Sequence, residues 1–150
     1  MKSYNHLKKY TVTAIAYLYA MLFTYAAFSK LFDFENFRVQ LGQSPLLSAF
    51  ASWIAFVVPI SEFVIAYLVV SIRHRFVGLF CCYVLMAMFT AYIYIILNYS
   101  AFVPCSCGGI LEKMTWNQHL IFNLAFLFLA FIGILIAPIT SEYNFKKFHA

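Results

Sequence analysis

Charge is scarce in this sequence. Of its 150 residues only five are acidic and ten are Lys or Arg, 10% in all, against 65% hydrophobic residues and a mean hydropathy of +0.86. A water-soluble domain of this size cannot cover that much apolar surface with so few charges, so lipid is the solvent. Polar–apolar alternation is absent from the long apolar runs, which excludes a transmembrane β-barrel. The first run, Tyr10 to Leu31, follows a basic start, yet no small-x-small site comes after it. It reads as a retained span rather than a cleaved signal peptide. Nor does any linker, low-complexity tract or repeat divide the chain, and one domain over residues 1–150 is expected.

What is present is four apolar runs of about 20 residues, the length that crosses a bilayer as a helix. They predict helices over roughly 10–31, 46–70, 76–99 and 116–136. In lipid a helix satisfies its own backbone hydrogen bonds, so the expected class is an all-α integral membrane four-helix bundle. Between the first two runs, Asp33 to Arg38 reads as an amphipathic loop at the membrane interface. Ser44-Pro45 reads as the N-cap and first turn of the second helix, and Pro59 as a point where that helix can bend. Thr115-Trp116-Asn117-Gln118 fits a capping box opening the fourth helix.

The net charge of +5 does not indicate a nucleic-acid partner, because the basic residues sit at helix ends as topology signals do. Lys2, Lys8, Lys9, Arg73, Arg75, Lys146 and Lys147 share one side; Lys30, Arg38 and Lys113 share the other. The positive-inside rule then predicts both termini in the cytoplasm and the loops at Asp33–Ser44 and Ser100–Thr115 outside. The expected location is the inner (cytoplasmic) membrane, multi-pass, with the second outer loop periplasmic.

That loop carries Pro104-Cys105-Ser106-Cys107-Gly108-Gly109. Two thiols one residue apart close a tight ring, and strained exposed disulfides are the labile, oxidising ones. The two glycines let the backbone turn sharply and a partner approach. Lys113 and the outward N-terminus of the fourth helix both favour a thiolate. Exchange chemistry, a structural staple and soft-metal binding all remain open. No second Cys/His pair accompanies the motif, so a complete zinc site is not expected, although Cys105, Cys107 and His119 together suit copper(I).

Trp116, His119 and Asn123 fall on one face of the fourth helix. His119 lies about one turn inside and can move a proton or hold a quinone oxygen; equally it can be an interfacial histidine bonded to a neighbour. Glu62 is the sole acid inside an apolar run, and a charge there costs at least about 2.5 kcal/mol, so it should be paired or protonated. Lys30 is its candidate partner. Cys81 and Cys82 read as core residues, and the 18 Phe and 11 Tyr as packing and lipid-facing surface rather than a quinone pocket.

Ala27-Phe28-Ser29-Lys30-Leu31, Phe37 and Pro59-Ile60-Ser61-Glu62 resemble the first half of the DoxX-like membrane proteins. The Cys-x-Cys-Gly-Gly segment with Trp116, His119 and Asn123 resembles the MauE branch. The resemblance implies an inner-membrane four-helix bundle linked to making or maintaining disulfides in periplasmic proteins. It also brings the architecture close to the quinone-coupled disulfide generators. The first expectation is therefore a protein passing thiol/disulfide equivalents through Cys105 and Cys107 to a periplasmic thioredoxin-like partner or substrate. His119 would assist proton movement, and Glu62, Lys30, Trp116 and Asn123 would hold the bundle or a quinone. The rival expectations are a non-enzymatic subunit or assembly factor of a larger membrane complex, and a soft-metal handler.

Overall fold

A computed structural model of the chain describes residues 2–44, 46–99 and 115–137, with side chains from His6 onward. Among the described residues there are five α-helices and no strand: α1 (Lys2–Phe32), α2 (Phe34–Gln43), α3 (Ala51–Val70), α4 (Arg75–Tyr99) and α5 (Trp116–Ile136). Four stretches are long and apolar enough to cross a membrane: His6–Phe32, Ser48–Val70, Arg75–Tyr99 and Trp116–Ile136. The chain is thus an all-α, multi-pass membrane protein. α1 has 31 residues, about 46 Å at 1.5 Å per residue, and so is longer than the hydrocarbon it crosses.

The spans pack as a closed ring. α1 lies along α3, α3 along α4, α4 along α5, and α5 returns to α1. Inward residues recur at helical spacing; on α3 they are Ala55, Pro59, Glu62, Ala66 and Val69. The core draws Val12, Tyr19 and Phe23 from α1, Ile65 and Val69 from α3, Leu79, Cys82 and Met86 from α4, and Ala130 from α5. Cys82 is fully buried and Cys81 half-buried, both as free thiols, as expected of core residues. Tyr19 donates its hydroxyl proton to the carbonyl of Phe126, joining α1 to α5 inside the bundle. The outer face of α5 presents Ile121, Leu124, Phe128, Phe131 and Leu135. An apolar surface of that extent belongs against lipid.

Two expectations about the first outer connection are corrected. Asp33–Ser44 is not a loop: residues 34–43 form α2, whose Phe37 and Leu41 bury against Ala51 and Ala55 of α3. Ser44 is not the N-cap of the next helix but the C-cap of α2, with φ −74° and ψ 126°. The reason is the proline after it, which disfavours α geometry in the preceding residue and so ends a helix there. Its carbonyl then accepts from the N–H groups of Leu47 and Ser48, and a 3-10 turn at Ser48–Phe50 leads into α3. The predicted 46–70 helix therefore begins at Ala51. The other boundaries agree within a residue, except that α1 starts eight residues before Tyr10.

The turn between α3 and α4 is held by Arg75, which donates from Nη1 to Thr13 Oγ1 at 2.9 Å. Just beyond it, a Cβ on Gly78 would stand 2.5 Å from the backbone nitrogen of Val69 and 2.6 Å from its Cα. Backbone cannot move aside as a side-chain tip does. Gly78→Ala should therefore destabilise the bundle by about 1–3 kcal/mol, the usual range for overpacking. Thermal unfolding in detergent measures this. An unchanged transition would mean that α3 and α4 do not approach so closely.

Candidate functional site

Polar groups gather where α1 ends and α5 begins. Lys30 lies in the last turn of α1, the end of a helix that favours a cation. Its Nζ donates to Glu62 Oε1 at 2.6 Å and to the carbonyl of Ala26 at 3.4 Å. The same ammonium stands 5.9 Å from the ring centre of Phe37 on α2 and 5.8 Å from that of Phe89 on α4. Aromatic faces attract a cation, and more strongly once it is desolvated. Lys30 is thus the point where α1, α2, α3 and α4 meet.

Glu62 faces inward one turn after Pro59 on α3. Its side chain has no exposed surface, whereas that of Lys30 is 17% exposed, so the pair opens to the surface on the lysine side. Only one carboxylate oxygen is used. Oε2 is buried and has no hydrogen-bond partner among the described residues. Asn123 on α5 is in the same condition: it is 3% exposed, and its Nδ2 has no partner there. Buried polar groups are hydrogen-bonded as a rule, so each such atom needs a partner.

α5 brings the remaining groups. Thr115 and Gln118 form the expected capping box, each backbone N–H donating to the other's side-chain oxygen, at 2.9 and 3.3 Å. This fixes the first turn, in which Trp116 and His119 stack with ring centres 6.4 Å apart. His119 is half-buried and within electrostatic range of Lys30. Lys30, Glu62 and His119 are therefore brought to one end of the bundle. Asn123 follows on the inward face of α5.

Cys105, Cys107 and Lys113 lie outside the described residues. Among the described residues no three His, Cys, Asp or Glu side chains are grouped to hold a metal ion. Sequence reasoning missed Phe89, α2 as a helix and the Tyr19 hydrogen bond. A signal for α2 existed in Phe37 and Leu41, four residues apart among polar neighbours. Nothing distinguishes Phe89 or Tyr19 from the other aromatics.

Across residues 8–136 the chain matches the family described as Methylamine utilisation protein MauE. The chain belongs to the MauE family. No curated protein and no solved structure matches it. The matched segment runs from the first turns of α1 to the last residue of α5, so the MauE-family region contains every residue of the ion-pair cluster.

Proposed function

We propose that this MauE-family protein exchanges thiol/disulfide equivalents at the periplasmic face of the inner membrane through Cys105 and Cys107. The observation that carries the reading is the polar cluster of Lys30, Glu62 and His119 at the end of the bundle where the α4–α5 connection, with its Cys-x-Cys motif, leads into α5. Thiol exchange moves protons as well as electrons, and Glu62 and His119 are groups at that end able to hold a proton.

In the exchange, the thiolate of one cysteine attacks a partner's disulfide and forms a mixed disulfide. The second cysteine attacks that bond, releases the partner as a dithiol and leaves Cys105–Cys107 oxidised. The reverse sequence oxidises a dithiol partner. His119 takes and returns the thiol proton, held in orientation by its stack on Trp116. A cation and a helix N-terminus favour a thiolate, and Lys113 and the start of α5 follow the motif in sequence. The partner is a thioredoxin-like or substrate protein of the periplasm, within the bilayer-bound setting of a larger system.

A quinone is the electron acceptor that the resemblance implies. The residues present fit one: Asn123 Nδ2 is a buried donor without a partner among the described residues, suited to a carbonyl oxygen, and Lys30, Glu62 and Trp116 stand toward the same end. When bound, such a group takes up two electrons and two protons. The methylamine of the family's name assigns no substrate to this chain by itself.

Orientation is tested directly. With both termini cytoplasmic, membrane-impermeant maleimide should label reduced Cys105 and Cys107 in intact spheroplasts. Cys81 and Cys82, inside α4, should stay unlabelled until the protein is denatured. Labelling of the loop only after permeabilisation would reverse the topology and remove the periplasmic partner with it.

A further inference from the structure

We infer that Glu62 is a proton-exchange site inside the membrane, filled by water from the face at which Lys30 is exposed. The inference deepens the reading above and rests on it only for what the proton serves. A carboxylate bound at Oε1 by an ammonium 2.6 Å away, with Oε2 buried and without a partner among the described residues, is half-satisfied there. In hydrocarbon such an atom takes a partner, and water is the one small enough to reach it past a lysine that keeps 17% of its side chain exposed.

The step is an acid–base one with no redox partner. A water-borne proton forms an O–H bond at Oε2, the donor's O–H bond breaks, and the carboxylate loses its negative charge. The Lys30–Glu62 pair then changes from neutral to a net charge of +1. The charged groups facing the pair decide where that proton can go. From α5 comes His119, in its first turn at the same end of the bundle. From α2 and α4 come the rings of Phe37 and Phe89, with Tyr92 one turn beyond Phe89. Glu35 and Arg38 of α2 pair with each other at 2.8 Å on the surface. A proton on Glu62 and one on His119 would each add positive charge at the end of the bundle that holds Lys30.

The test is infrared difference spectroscopy between low and high pH on the full chain in lipid nanodiscs, in light and heavy water. The expected result is a protonated-carboxyl band that grows as the pH falls, shifts in heavy water and is absent in Glu62→Gln but present in Glu35→Gln. Should Glu62→Gln not fold, carbon-13 NMR of glutamate-labelled wild type gives the same answer, as a buried carboxyl resonance that moves with pH. His119→Phe should shift the titration, which a merely structural histidine would leave in place. A Glu62 carboxyl fixed in one protonation state, or a band blind to heavy water, would overturn the inference. The Cys105→Ser/Cys107→Ser double variant separates the two readings: its carboxyl titration should persist even where thiol exchange is lost, and its disappearance there would count against an autonomous site.

Discussion

Cys105→Ser and Cys107→Ser should each abolish function while leaving the amount of folded protein nearly unchanged. One of the two should also accumulate as a covalent adduct with a periplasmic partner. Exchange passes through a mixed disulfide that the second, resolving thiol clears; without that thiol the reaction stops midway. The other variant has lost the attacking thiol and forms no adduct. A structural staple predicts the opposite pattern. A ring of three residues constrains the unfolded chain little, so opening it would cost roughly 1.5 kcal/mol, equally for both variants. Neither would trap anything. A non-reducing gel of each single variant, probed for this protein, distinguishes the two. No adduct from either, with normal function in cells, would leave the chain as a membrane subunit whose cysteines only tie a loop.

Much of this architecture is legible in the sequence because lipid simplifies the code. A span must be about 20 residues of apolar helix, and four such runs appear at nearly the observed bounds. The ion pair is legible for the same reason. A lone acid in an apolar run must find a partner, and Lys30 is the cation nearest the correct end of a neighbouring span. Thr115 and Gln118 announce their capping box by spacing alone. Legibility fails at the interface, where neither water nor hydrocarbon dictates the pattern. Ser44 before a proline is compatible with starting one helix or ending another. The choice falls to Phe37 and Leu41, which bury against Ala51 and Ala55 only if residues 34–43 are helical. Tyr19 and Phe89 are invisible for another reason. In a chain with 18 Phe and 11 Tyr, only the packing of helices onto one another singles out the tyrosine that bonds Phe126 or the phenylalanine that faces an ammonium.

Lys30→Met and Glu62→Leu should each destabilise the protein strongly, and together they should nearly cancel. Either single change leaves an uncompensated charge among Phe37, Phe89 and the core, which costs about 3–5 kcal/mol for a buried pair. Glu62→Gln should be milder than Glu62→Leu, because an amide oxygen still accepts from Lys30 Nζ. The double variant removes both charges and also Oε2, which has no partner among the described residues. Well-packed apolar replacements for a buried pair are commonly neutral or stabilising. Unfolding in mild detergent should therefore rank wild type and double variant together, then Glu62→Gln, then the two single charge deletions. Losses that simply add in the double variant would show that the residues are not energetically coupled. The double variant also separates stability from chemistry. It should fold well and fail in thiol exchange, because it no longer has a carboxylate to hold a proton at the end of the bundle where His119 lies. Full activity in that folded double variant would reduce the pair to a helix clamp between α1 and α3, leaving the chemistry to the cysteines and His119.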